Sequence, residues 1–323
     1  MAATQAALDD MVRPVAVTAR AQPPAWTIYR HRLPVRIMHW INVVCMFVMV
    51  GSGLAIFNAH PALYWGKQST FATPVLMIGS AQNKDHSLRG VTQIGSHQFD
   101  TTGVLGVSPG ADGRPRGRGF PSWATLPGPQ SLALARQWHF TFAWIFAING
   151  SLYLLWTLLS RHFSRDLAPT RSDWRGIGRS IIEHVKFKHP HGEEATRYNI
   201  LQKLAYLGVI LVFGPGIVLM GLAMSPHMDT VLGWLVDLVG GRQSARTIHF
   251  IIAFGFIGFV LIHVFEVLVS GVFNQLHSMI TGNYAVPVDR SAKHSSIARN
   301  GDRASVATAQ VPEAAKEPGH EGQ

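Results

Sequence analysis

The stretch RTIHFIIAFGFIGFVLIHVF, residues 246–265, decides how the rest of the chain is read. Its length and apolar character suit a helix crossing a bilayer core of about 30 Å, which takes about 20 residues at about 1.5 Å each. Yet it carries His249 and His263, and an ionisable side chain at membrane depth is costly enough to mark function. On a helix turning about 100° per residue, the fourteen steps between them come to about 1400°, about 40° short of four turns, with a rise of about 21 Å. The two imidazoles therefore share one face at opposite depths.

The surrounding composition agrees with a membrane protein. Of 323 residues 47% are apolar and only 14% charged, too few charges for an ordinary soluble enzyme of this size. Four runs are long enough to span: about 37–57, 138–160, 203–224 and 247–270. The fold expected is an all-α integral membrane protein, a four-helix bundle with a long loop, 58–137, between helices 1 and 2. The first run lacks the cleavage site of a signal peptide and reads as a retained span. Residues 1–38 hold five basic against two acidic side chains, and 161–203 hold nine against five. By the positive-inside rule these segments, and with four spans the C-terminus, face the cytoplasm. Loop 58–137, seven basic against three acidic, is longer than the loops the rule governs and lies in the periplasm. The basic excess flanks spans, so it reads as topology and not as a nucleic-acid surface. Cys45, the only cysteine, excludes a disulfide, an iron–sulfur cluster or a cysteine-ligated zinc site built from this chain alone.

Outside the membrane domain, 28–285, the lead 1–27 and the tail 286–323 have the small, polar composition of disordered segments. Within loop 58–137 the alternating pieces VTQI and GVLGV are expected to pair as a small hairpin. In the cytoplasmic loop 161–202, SDWRGIGRSIIEHVKF reads as an amphipathic helix on the membrane surface, with Ser172 or Asp173 as its N-cap.

Two more histidines lie at span ends, His39 in RIMHW and His139 in RQWHF. Chain direction places His39 at the depth of His263, near the cytoplasm, and His139 at the depth of His249, near the periplasm. Neutral imidazoles ligate iron, and a haem with one on each face is coordinatively closed, so it exchanges electrons and does not bind oxygen. Zinc wants four ligands at one point, and each depth supplies two. Gly53, fourteen residues after His39, falls at the outer pair, and Gly150, eleven after His139, near the inner one. Either would allow close approach of a flat macrocycle, although glycines also pack membrane helices. A membrane transporter or proton channel using the histidines as a relay, without haem, is the alternative.

These residues resemble the bacterial cytochrome b561/nickel-hydrogenase cytochrome b family over about residues 28–285. The likeness rests on the RxxHW opening, the histidine starting the second span and the fourteen-spaced pair on the fourth. FNAHPALYWG and FPSWATLPGPQSLALARQWHF look closest to its thiosulfate-reductase-like branch. The resemblance implies that His39, His139, His249 and His263 ligate two b-type haems. It implies electron transfer between the quinone pool and a periplasmic catalytic subunit, a molybdopterin oxidoreductase, which would carry the substrate chemistry in a respiratory chain. RYNILQK, 197–203, looks like the family's quinone-proximal segment and nominates Asn199 and Gln202 as quinone contacts; the same two residues would serve as N-cap and capping-box partner of an ordinary helix start. Arg36 is a candidate contact for a haem propionate, a position that cytoplasmic anchoring explains equally well.

Overall fold

The computed structural model describes residues 27–110, 112–128, 131–160, 163, 167–185 and 200–286. The chain divides into two units, and nearly all the described residues belong to one of them, residues 29–189 and 197–284.

Four of its helices are long and apolar enough to cross a membrane: α1 (Leu33–Phe57), α2 (Leu132–Leu159), α5 (Ile200–Ala223) and α7 (Arg242–Val269). Pro34 opens α1, where its missing N–H and fixed φ cost nothing. Ser131 caps α2 by accepting from the Leu134 N–H at 3.4 Å. In α5 the stretch Gly208–Phe213 widens into a π-turn, and the Gly214 N–H reaches back to the Val209 carbonyl. Pro215 follows at once; it has no N–H to continue the ladder and its ring crowds the preceding turn, so the wider turn absorbs the break. Helix α7 starts after Gly240 and Gly241, both at positive φ. A Cβ on Gly241 would stand 2.5 Å from the Gly66 carbonyl oxygen, so only glycine lets the two backbones cross.

The bundle consists of two helix pairs, α1 against α2 and α5 against α7, which touch each other chiefly through α2 and α5. Outward faces are apolar, with Phe47, Leu159, Leu261 and Ile262 exposed, as lipid contact requires. Helices α2 and α7 begin about five residues earlier than the apolar runs suggest, because polar residues such as Arg136 and Arg246 continue the helix beyond the apolar stretch. Two shorter helices were not evident in the sequence. Helix α6 (Asp229–Leu238) fills the connection before α7, seating Leu235 against Met220, Ala223 and Ala245. Helix α8 (Val272–Thr281) follows α7 and is tied to α1, with the Trp40 indole N–H donating to the Met279 carbonyl at 3.3 Å.

Loop 58–137 is folded. Strands β1 (Ala62–Leu63), β2 (Leu76–Gln82), β3 (Leu88–Ile94) and β4 (His97–Asp100) form an antiparallel sheet in that order, with Gly79 opposite Val91. A separate hairpin joins β5 (Gly106–Pro109) to β6 (Pro115–Arg118). VTQI lies in β3 and pairs with β2 and β4, while the end of GVLGV enters β5; the two pieces do not pair with each other as expected. Phe57, Leu63, Ile78 and Phe120 make the core that joins this subdomain to the helix ends. Asn58 accepts from the Phe120 N–H at 2.6 Å and donates to its carbonyl at 3.0 Å, replacing a missing strand partner. Further along, the Leu126 N–H donates to the Gly51 carbonyl at 3.0 Å.

The surface segment also differs in detail from expectation. Thr170, not Ser172 or Asp173, is the N-cap, and Asp173 completes a reciprocal capping box as the N3 residue of α3 (Arg171–Arg175). After Gly176 the chain resumes as α4 (Ile177–Val185). Asp173 also meets Lys203 of α5 at 2.8 Å. The lead through residue 26, the tail from residue 287 and Asn199 lie outside the described residues.

Candidate paired-histidine sites

Three of the four histidines sit six or seven residues into their helices: His39 on α1, His139 on α2 and His249 on α7. His139 faces His249 with ring centres 6.2 Å apart and planes at 62°. His39 faces His263 at the same 6.2 Å, with planes at 65°. The two pairs expected from chain direction are thus brought together, both sharing α7. Since His39 near the start of α1 meets His263 near the end of α7, these helices run in opposite directions.

The outer pair has its unused nitrogens fixed. Ser52, fully buried on α1, donates its hydroxyl hydrogen to the Val48 carbonyl at 2.6 Å, so towards His139 Nδ1, 3.1 Å away, its oxygen accepts. His249 Nδ1 lies 3.0 Å from the Ile217 carbonyl, which can only accept. Both rings therefore carry their proton on Nδ1 and keep the Nε2 lone pair free, the arrangement that outer-shell partners impose on metal-binding histidines. Sequence reasoning did not single out Ser52 or Ile217. Gly53 does lie here: a Cβ on it would stand 3.3 Å from His139 Cε1. Gly221 is its counterpart on α5, 3.5 Å from His249 Cε1 by the same measure.

At the inner pair, His263 stacks on Phe259 (5.9 Å, planes at 11°) and His39 meets the Trp40 edge at 5.5 Å. Among the described residues neither ring has a hydrogen-bond partner that selects its tautomer. A Cβ on Gly150 would meet nothing within 4 Å, leaving open space beside that turn of α2. Its neighbour Asn149 fastens the helices there, donating to the Met38 carbonyl at 2.9 Å and the Asn42 side-chain oxygen at 2.8 Å. Arg36 gives one guanidinium nitrogen to the Ile280 carbonyl, and its buried Nε has no partner among the described residues. Gln202 lies in the first turn of α5, beside Lys203 and its ion pair with Asp173.

Between the pairs, seven residues from each α7 histidine, Phe256 is buried against Phe146 (6.1 Å) and Phe213 (5.6 Å). Outside the spans, His31 is pushed down to about 4 by burial and then by the charge of Arg30, which keeps it neutral. His60, just past α1, is also lowered, by burial and then by Arg246.

The donor set fits one class of metal group. No cluster of three or more histidine, cysteine or carboxylate ligands occurs among the described residues. Two imidazoles alone cannot satisfy a zinc ion, but they complete a metal whose other positions belong to a macrocycle. With a metal–nitrogen bond of about 2.0 Å on each side, two imidazoles on opposite faces of one ion have ring centres about 6 Å apart, the separation both pairs show. Gly53 and Gly221 at the ring edges permit close backbone approach of a flat ligand.

Comparison with known proteins agrees. A family model described as prokaryotic cytochrome b561 matches residues 30–282. The "Putative protein-methionine-sulfoxide reductase subunit YedZ1" of Azospira oryzae is 32% identical over 168 residues, covering 51% of this chain and 78% of that protein. The "Probable Ni/Fe-hydrogenase B-type cytochrome subunit" of Cupriavidus necator is 25% identical over 177 residues, 49% of this chain and 72% of that protein. No solved structure matches the chain significantly.

Proposed function

The chain belongs to the prokaryotic cytochrome b561 family, and from that membership we propose that it is the electron-transfer subunit of a bacterial inner-membrane complex, holding two b-type haems. His139 and His249 would hold one and His39 and His263 the other; the observation that carries this is the pair of 6.2 Å facings built on a single helix. Such a haem, when bound, supplies reversible one-electron transfer with no open position for oxygen. The chain's residues bind and orient: Ser52 and the Ile217 carbonyl hold the outer rings in the ligating tautomer, and the apolar helix faces keep water away.

With the basic segments in the cytoplasm, the outer pair lies on the periplasmic side beneath the β-subdomain and the inner pair on the cytoplasmic side, where α5 also starts. We assign the quinone pool to the inner side, with Gln202 and Asn199 as the candidate quinone contacts. We assign a catalytic oxidoreductase subunit, molybdopterin-dependent, to the periplasmic side. The names of the two relatives, each a subunit of a redox enzyme, support an oxidoreductase partner.

The test is spectroscopic. Purified protein should give a reduced b-type α-band and two haems per chain; His249→Ala should retain one haem and His39→Ala the other. A correctly folded, colourless protein would sink the proposal in favour of a histidine relay.

A further inference from the structure

An arginine stands three residues before three of the four histidines: RIMH at 36–39, RQWH at 136–139 and RTIH at 246–249. Before His263 the same place holds Val260. Three residues on a helix make about 300° and about 4.5 Å, so each arginine leaves near the histidine's face, one turn closer to the helix start. The outer pair thus receives Arg136 and Arg246, and the inner pair only Arg36. In the proposed orientation the positive-inside rule accounts for Arg36 but not for two arginines on the periplasmic side.

Arg246 is the better placed of these two. Arg136 is exposed, with its guanidinium 5.6 Å from the Phe140 ring. Arg246 is half-buried, its guanidinium donating to the His60 carbonyl at 2.5 Å and lying 5.8 Å from the Phe57 ring centre. Among the described residues no carboxylate pairs with it; Asp229 and Asp237 on the preceding helix are engaged with Arg242 and Lys67. A guanidinium has five N–H donors, and a charge withdrawn from water beside aromatic rings calls for a counter-charge.

We infer that Arg246 is a carboxylate-binding residue of the outer site and takes a propionate of the haem held by His139 and His249. The planar fork of arginine matches a carboxylate through two parallel hydrogen bonds. This inference rests on the haem ligation proposed above.

The test is a redox titration of the purified protein, following each haem by its own band, with the outer band identified by its loss in His139→Ala. Arg246→Gln keeps an amide donor for the His60 carbonyl but removes the charge. It should make reduction of the outer haem about tenfold less favourable, which is about 59 mV for one electron, and leave the inner haem unchanged. Arg246→Lys should stay within about twofold of the unaltered protein. Two haems with an unmoved outer potential in Arg246→Gln would overturn the inference while leaving the ligation intact; absence of haem from the unaltered protein would overturn the ligation itself. Should Arg246→Gln lose the outer haem, Arg246→Lys decides: retention near the original potential supports charge pairing, and equal loss assigns Arg246 to shaping the turn at His60.

Discussion

Ser52 Oγ stands 3.1 Å from His139 Nδ1 while giving its own hydrogen to the Val48 carbonyl. The contact fixes both the tautomer and the turn of the ring. Ser52→Ala would remove the acceptor that faces Nδ1 and leave the ring N–H to the Met49 backbone alone, which would loosen the ring. Loss of such an outer-shell partner lowers metal affinity by about 10–100-fold. The expected result is faster loss of the outer haem to a haem scavenger, with the inner haem unaffected and Ser52→Thr close to the original. Equal haem loss from both sites would contradict it.

The two glycines nominated from spacing are expected to behave differently. Gly53 touches the His139 ring, so Gly53→Val should displace that imidazole and lower outer haem occupancy severalfold. A Cβ on Gly150 would meet no atom of another helix or side chain within 4 Å, so Gly150→Leu is expected to leave the polypeptide packing intact. Its larger side chain would enter the open space beside the inner pair. Haem content should fall at the inner site alone, with little change in unfolding temperature of haem-free protein; unaltered inner occupancy would show that the space has another use.

Periodicity exposed the histidine geometry because helix rise and twist are fixed, so fourteen residues specify a face and a depth whatever surrounds them. The same logic located Gly53. It missed Ser52 and Gly221, whose significance comes from which helix face meets which ring, a property of packing between distant segments. The β-subdomain was hidden for a related reason: β1 and β2 are separated by twelve residues, and VTQI finds partners on both sides that local alternation does not single out. The Thr170–Asp173 capping box, by contrast, was legible as T-x-x-D and was passed over in favour of Ser172 or Asp173 as the cap.

The Asp173–Lys203 pair ties the surface segment to α5, and both side chains are mostly buried. Hydrogen bonds from Lys203 and Thr170 hold the Asp173 carboxyl down at about 2. A carboxyl depressed in the folded state stabilises the fold above its ordinary value near 3.8 and loses that contribution as pH falls towards its folded value. Lys203→Met should therefore lower the unfolding temperature at pH 7, by an amount corresponding to about 1 kcal/mol. The gap between variant and unaltered protein should narrow between about pH 4 and about pH 2. A gap that stayed constant over that range would show that Lys203 acts through its methylenes.

Phe256 lies seven residues from both His249 and His263, which keeps it within about 20° of their common face. It is buried, and Phe146 and Phe213 close around it from α2 and α5. Phe213 reaches it from the π-turn because Gly255 has no side chain; a Cβ there would stand 2.7 Å from the Phe213 ring. The cluster therefore fills the middle of the bundle with ring carbon and keeps the two histidine pairs apart. Phe256→Ala should destabilise the protein by about 3–5 kcal/mol, the usual cost of a buried ring lost to a cavity, while Phe256→Leu costs less than about 1.5 kcal/mol. Both variants should keep two haems, since the ligands lie two turns away on either side. Thermal unfolding in detergent, read beside the haem spectrum, separates the effects. If Phe256→Ala proved no less stable than Phe256→Leu, the ring would not be packed between the sites, and Gly255→Ala, which must push Phe213 aside, would then be equally silent.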